Sequence, residues 1–242
     1  MRLAVAGATG RTGSEVVAEA RDRDHAVVAL SRDPDEGEHD LADLDAALDA
    51  ADALVDFTVP EATPDHAAAA ADAGVPYVVG TTGLDDEAEA ALDAAAGTVP
   101  VLAASNFAKG VQALLRVVRA GVEALPEYDA ELTETHHDGK RDAPSGTAVS
   151  LLDAIDEARG EALDRTYGRE GDHLREAAEV GVHVRRAGTV RGEHEVLLAG
   201  DDEVLTLTHR AESRRVFAAG AVDAAERLAD REAGRYDFTD VL

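Results

Sequence analysis

The 242 residues contain no cysteine, which excludes disulfides, thiolate metal sites and cysteine nucleophiles. Aromatic residues are scarce at 3%, so the hydrophobic 45% must build its core from alanine, valine and leucine. No apolar run approaches the ~18 residues of a membrane span, and no basic-then-apolar segment opens the chain. The expectation is therefore no membrane span and no secretion signal, hence a cytoplasmic protein. Lysine is nearly missing as well: of 23 basic residues only Lys109 and Lys140 are lysines.

What is abundant is negative charge. Asp and Glu number 50, for a formal net charge of −27. A field of that sign excludes non-specific binding to nucleic acid or to an anionic membrane. The acids are spread along the chain, as at Asp33, Asp35, Glu36, Glu38 and Asp40 and again at Asp85, Asp86 and Glu87. This is the pattern of a solvated acidic surface working in high salt, where the Debye length falls to about 3 Å at 1 M and self-repulsion is screened.

Residues 1–107 alternate short apolar runs (3–6, 26–30, 53–57, 77–79, 101–104) with Ala- and Asp-rich helical segments (14–23, 64–73, 85–96). Gly74 and Gly97 stand where helix C′ glycines belong. Buried strands alternating with helices predict an α/β fold, a Rossmann-type doubly wound parallel sheet. After residue 107 the pattern changes. A helix over 110–125 leads to an alternating strand over 129–135 and a helix over 148–159. Extended runs at 180–186, 193–199 and 204–209 then predict a second α+β domain on a smaller mixed, largely antiparallel sheet. A last helix over 217–229 returns to the first domain. The expected domains are 1–107 plus 217–242, and 108–216.

The run Val5 to Gly13, VAGATGRTG, follows a strand and opens a helix. Its spacing Gly7-x-x-Gly10-x-x-Gly13 is a variant of the dinucleotide fingerprint. Gly7, Ala8, Thr9, Gly10, Arg11 and Thr12 are the candidate pyrophosphate loop, with helix N–H groups facing the anion. At the end of the second strand, where NAD-binding domains carry an acid, Ser31 is followed by Arg32. That pair suits a 2′-phosphate, so NADPH is expected to be preferred over NADH, with Arg11 as a second cation. Two later loops, with Gly80, Thr81 and Thr82 in one and Ala104, Ser105, Asn106 and Phe107 in the other, end strands on the cofactor side.

In ETHHDGKRDAPSGTA, residues 134–148, a strand delivers His136 and His137, which point to opposite sides of an extended chain. No third ligand shows metal spacing, and no metal site is expected. The amides of Ser145, Gly146 and Thr147 would form a helix-terminal anion site. Lys140 adds a compact charge, and either histidine can transfer protons near neutral pH. The concentration of positive potential suits a small acidic substrate.

These motifs taken in order, namely GATGRTG at 7–13, DFT at 56–58 with His66, GTTG at 80–83, SNF at 105–107, residues 134–148, GEH at 192–194 and SR at 213–214, closely resemble the dihydrodipicolinate (4-hydroxy-tetrahydrodipicolinate) reductase family across essentially the whole chain. The resemblance implies an NAD(P)H-dependent oxidoreductase of lysine and diaminopimelate biosynthesis and a homotetramer, with 1–107 plus 217–242 as the dinucleotide-binding domain and 108–216 binding a cyclic dicarboxylate substrate and mediating tetramerisation. It implies His136 as acid/base, Lys140 as proton donor or carboxylate ligand, and His137, Ser145, Gly146 and Thr147 as substrate ligands. Arg214 matches a family arginine near the site. Lys109 departs from a position that is often neutral and is read as an interdomain hinge. Another two-domain NAD(P) oxidoreductase would share the nucleotide domain but lack the 134–148 motif. A non-catalytic dinucleotide sensor would leave His136 and Lys140 without purpose.

Overall fold

A computed structural model describes residues 1–241. In chain order the elements are β1 (Arg2–Ala6), α1 (Gly13–Asp22), β2 (Ala26–Ser31), β3 (His39–Asp40), α2 (Leu44–Leu48), β4 (Ala53–Asp56), α3 (Thr63–Ala73), β5 (Tyr77–Val79), α4 (Asp86–Ala96) and β6 (Pro100–Ala103). Then follow α5 (Lys109–Ala124), β7 (Asp129–His136), α6 (Gly146–Arg159), β8 (Asp164–Tyr167), β9 (Glu179–Arg186), β10 (Glu193–Ala199), β11 (Val204–Arg210), α7 (Arg215–Leu228) and β12 (Gly234–Tyr236). The chain divides into two compact units, residues 1–108 with 214–242 and residues 109–213; residue 242, the end of the expected first domain, lies outside the described residues.

In the first unit seven parallel strands are ordered β12-β6-β5-β4-β1-β2-β3. The period-two alternation sorts its side chains: Leu3, Val5, Val55 and Val78 face α1 and α7, while Ala4, Ala6, Leu54, Tyr77 and Val79 face α2, α3 and α4. Most of these side chains are fully buried, and each large one contributes about 1.5–3 kcal/mol relative to exposure. Strand order reverses between β1 and β4, and the loops beyond their C-terminal ends form the cleft where such sheets bind ligands. β3 and β12 are too short to have stood out in the sequence. Gly74 ends α3 in the left-handed region at φ 69°, as expected; Gly97 ends α4 at φ −69° instead, so any residue could hold that conformation.

The second unit is a five-stranded sheet ordered β11-β10-β7-β9-β8. β10 runs antiparallel to β7 and β11, but β7–β9 and β9–β8 are parallel, so the sheet is mixed, as expected, but evenly so rather than largely antiparallel. The overlooked strand β8 and the α6 crossover between β7 and β8 account for the difference. One face is covered by α5 and α6 through Leu114, Val118, Leu151 and Ile155 packed on Leu132, Val182, Val196 and Leu198. α6 begins at Gly146, two residues before the expected start, because Ser145 caps it: its Oγ accepts from the Ala148 amide at 3.2 Å.

Candidate active site

In the first unit β1 runs straight into the glycine turn. Gly7 holds φ 82°, and a Cβ on Gly13 would lie 2.1 Å from the Gly7 carbonyl oxygen, so the turn and the first turn of α1 pack backbone on backbone. Beside it a cleft of about 240 Å³ is lined by Gly7, Thr9, Gly10, Ser31, Arg32 and Phe57, among others. Ala8 is buried under the turn, while Thr12 is the N-cap residue of α1 without a side-chain cap bond. Ser31 is buried and shares a 2.6 Å hydrogen bond with Thr9. Arg32 and Arg11 are exposed, and neither makes an ion pair among the described residues. In a chain this rich in carboxylates, two unpaired guanidinium groups flanking a phosphate-type turn suit an anion. A glycine cradle, a helix start and flanking cations fit a dinucleotide.

The loop walls are held by a carboxylate to which the sequence reading assigned no role. Asp56, at the end of β4 and fully buried, accepts from the Thr58 amide (2.8 Å), Thr58 Oγ1 (2.6 Å), Tyr77 Oη (2.7 Å), Thr81 Oγ1 (3.3 Å) and His66 Nδ1 (2.7 Å). Burial alone would raise its pKa; the hydrogen bonds from His66, Thr58 and Tyr77 outweigh that and hold it below the ordinary range. Thr81 is buried and also accepts from the Thr58 amide at 3.0 Å, so its side chain braces the loop, and Thr82 is exposed. Gly80 backs onto the Phe57 ring. Beyond β6, Ala104 is half-buried, Ser105 is exposed and Asn106 Oδ1 accepts from the Ala108 amide at 2.8 Å. The Phe107 side chain packs between Phe57 and Phe238 in the core, leaving only its backbone for a cofactor.

In the second unit the 134–148 segment folds around Glu134. Glu134 and His136 lie two residues apart on β7 and so share a face. Glu134 is fully buried: Oε2 accepts from His136 Nδ1 (2.5 Å) and Arg186 Nη1 (2.9 Å), and Oε1 from Arg186 Nη2 (2.8 Å) and the Ser145 amide (3.0 Å). The bidentate Arg186 fork arrives because β9 pairs in register with β7, placing Arg186 opposite His136. Burial alone would raise the Glu134 pKa, but His136 and Arg186 pull it down to about 2. An ionised Glu134 makes Nδ1 of His136 the protonated nitrogen, leaving Nε2 as the working atom. His137 is half-buried and Lys140 pairs with the exposed Asp142 at 2.8 Å.

The Ser145 amide is therefore already committed to Glu134, unlike the free helix-terminal donor expected of it. The remaining components of the anion site are the Ser145 hydroxyl, buried and shared with His194 Nε2 at 3.0 Å, the exposed Gly146 and the buried Thr147. His194 is itself buried, and burial together with the neighbouring His136 pushes its pKa down to about 3, so it is neutral at working pH. Arg214 precedes α7 as its N-cap residue, and Lys109 opens α5. Asp56, Glu134 and His194 stand in the motifs at 56–58, 134–148 and 192–194 but had no role assigned from sequence, and Arg186 had no mark at all. Period-two spacing put Glu134 and His136 on one face and was the available signal; Arg186 and His194 lie 50 or more residues away, and only the 192–194 motif marks His194. The described residues hold no cluster of His, Asp or Glu placed for a metal ion.

A Rossmann-type unit with a phosphate-type cleft, joined to a unit carrying a buried His–Glu–Arg constellation beside a lysine, defines a two-domain NAD(P)-dependent oxidoreductase. The family models "Dihydrodipicolinate reductase, N-terminus" and "Dihydrodipicolinate reductase, C-terminus" match residues 1–107 and 110–242, and the chain belongs to that family. It is 68% identical over 246 residues to the 4-hydroxy-tetrahydrodipicolinate reductase of Natronomonas pharaonis, covering 100% of both chains. It is 48% identical to that of Haloarcula marismortui, covering 100% of this chain and 98% of the other. Among solved structures, dipicolinate-bound dihydrodipicolinate reductase from Paenisporosarcina sp. TG-14 shares the fold at TM-score 0.76 and 22% identity, covering 98% of this chain and 97% of that one.

Proposed function

We propose that the protein reduces 4-hydroxy-tetrahydrodipicolinate to tetrahydrodipicolinate with loss of water, using NAD(P)H, in lysine and diaminopimelate biosynthesis. The observation that carries this reading is the Glu134 constellation, which orients His136 and the start of α6 in one hydrogen-bonded unit beside Lys140. Bound in the first unit, the reduced nicotinamide supplies a hydride to the ring imine left by loss of water. Hydride addition builds negative charge on the substrate, which Lys140 and a protonated His136 stabilise. Glu134 keeps His136 Nε2 as the nitrogen that carries or delivers the proton. His137, the Ser145 hydroxyl, Gly146 and Thr147 hold the carboxylates, and Lys140 exchanges its Asp142 partner for one of them.

On the cofactor side the Gly7–Thr12 turn, Thr81, Thr82 and the 104–107 loop bind the dinucleotide. Ser31 followed by the unpaired Arg32, with Arg11 nearby, favours NADPH while leaving NADH usable. The unit of residues 1–108 with the returning C-terminal segment from 214 binds the nucleotide, and the unit of residues 109–213 binds substrate and makes the homotetramer. Val204 and Leu205 stand exposed on β11, an unpaired sheet edge, which supports a further copy covering it. No helix among the described residues is long and apolar enough to cross a membrane. The acidic, lysine-poor surface supports a cytoplasmic enzyme working in high salt.

The test follows oxidation of NADPH on addition of freshly generated 4-hydroxy-tetrahydrodipicolinate in molar KCl. Turnover is expected, with His136→Ala and Lys140→Ala each reducing kcat/KM by about 10²-fold or more. An inactive wild type, or undiminished turnover in both variants, refutes the reading.

A further inference from the structure

The segment Gly192-Glu193-His194 leads into β10 and has no role in the reaction described above. Register with β7 sets His194 opposite Glu134. A Cβ on Gly192, which holds φ 149°, would lie 3.1 Å from His136 Nε2, so glycine keeps that nitrogen open. The His194 ring stands edge-on to His136, centroids 5.2 Å apart at 72°, and its Nε2 reaches Ser145 Oγ at 3.0 Å. His194 Nδ1 is buried without a hydrogen-bond partner.

The Ser145 hydroxyl has one hydrogen and two lone pairs, and one lone pair already takes the Ala148 amide as the cap of α6. Two tautomers of His194 then have opposite consequences. With the proton on Nδ1, Ser145 spends its only hydrogen on His194, and a buried N–H is orphaned. With the proton on Nε2, both serine lone pairs are filled by donors and its hydrogen is free to turn outward. Only an acceptor is then orphaned at Nδ1, and orphaned acceptors are the more common of the two in buried structure.

We propose that His194 is a positioning residue: as the neutral Nε2–H tautomer it fills the second lone pair of Ser145 Oγ and reserves the hydroxyl hydrogen for a substrate carboxylate. This rests on the reading of Ser145 as a carboxylate ligand. The charged or titratable groups around His194 are Glu134, His136, Lys140 and His209, and burial beside His136 keeps its ring uncharged. Two converging donors polarise the hydroxyl and hold its hydrogen in one direction, which strengthens a charge-assisted bond to a carboxylate.

The experiment combines ¹⁵N NMR of the histidine rings in the ligand-free wild type with affinity for dipicolinate, a planar dicarboxylate probe, and with steady-state kinetics. His194 should titrate as Nε2–H. His194→Leu should raise the dipicolinate Kd and the substrate KM about 5- to 10-fold with the KM for NADPH unchanged, and His194→Gln, whose amide N–H can donate to the same oxygen, should restore both to within about twofold. Ser145→Ala should cost about tenfold or more, and adding His194→Leu to it should cost nothing further. An Nδ1–H or doubly protonated ring, an unchanged dipicolinate Kd in His194→Leu, or a further loss in the double variant overturns the proposal. Should His194→Leu fail to fold, the wild-type tautomer still decides. Dipicolinate binding indifferent to Ser145→Ala would overturn the Ser145 contact together with this role. Binding that depends on both residues in an enzyme inactive on 4-hydroxy-tetrahydrodipicolinate would remove only the reaction assignment.

Discussion

Replacing Glu134 by Gln keeps the side-chain volume but removes the charge and one of two acceptor oxygens. Four donors converge on that carboxylate, from His136, Ser145 and twice from Arg186. In the variant two of them face an amide N–H₂, donor against donor. Hydrogen bonds to a charged group are worth about 1.5–3 kcal/mol each, and breaking a buried ion pair costs about 3–5 kcal/mol. Arg186 keeps 19% of its side chain exposed and can turn toward water, which favours the low end, about 3 kcal/mol. Proton linkage gives a similar figure: lowering the pKa from 4.5 to about 2 corresponds to about 3 kcal/mol.

Because the folded-state pKa is depressed, this stability is fully present above about pH 4.5 and is lost as pH falls toward 2. At 242 residues, about 3 kcal/mol lowers Tm by about 6–12 °C. Thermal unfolding of both proteins from pH 7 downward should therefore show a gap of that size that closes below pH 4.5. Loss of the fixed His136 tautomer should also lower kcat by about 10²–10³-fold. A gap of under 1 kcal/mol at pH 7, or one that persists unchanged into acid, refutes the assignment of Glu134 as the charged hub.

Arg32→Ala should raise the KM for NADPH about tenfold and leave that for NADH within about twofold, since only the 2′-phosphate differs; equal effects on both cofactors in steady-state assays in molar KCl would count against a 2′-phosphate contact. Asp56→Asn strands donors around a fully buried position and should lower stability by about 3–5 kcal/mol, read as a fall in Tm of about 6–20 °C. A fall of less than about 3 °C would mean that Asp56 carries little of the loop architecture. Gly13→Ala would put a Cβ 2.1 Å from the Gly7 carbonyl, so the turn must move; fluorescence titration should show NADPH affinity weakened about 10²-fold while dipicolinate affinity is retained. Tight NADPH binding by that variant would show that the turn tolerates opening.

Much of the first unit was legible because its strands and helices carry local marks. Buried runs such as Ala53–Asp56 are short and apolar, alanine-rich helices have high propensity, and VAGATGRTG sits between a strand and a helix. The extent of parallel pairing in the second sheet was not legible. β8, Asp-Arg-Thr-Tyr, has no buried residue and no hydrophobic alternation, so only its partner β9 makes it a strand. The Ser145 amide was misread for a related reason. Helix-start chemistry marks it as a free donor, and nothing nearby in sequence says that Glu134, 11 residues earlier, folds back onto it.

By itself, then, the chain determined its class and its chemistry-bearing residue types: a glycine turn whose spacing only close backbone packing explains, a serine and an arginine at the end of β2, and adjacent histidines beside the rare Lys140. These depend on local backbone geometry and side-chain identity, which sequence encodes directly. Tertiary structure alone decided which histidine nitrogen is free, because that depends on Glu134 being ionised, and its ionisation depends on Arg186 arriving from β9. It alone also placed His194 against Ser145, 49 residues away. Hydrogen-bond direction is set by the partners that strand register brings together, and register is a property of the folded sheet rather than of any one segment.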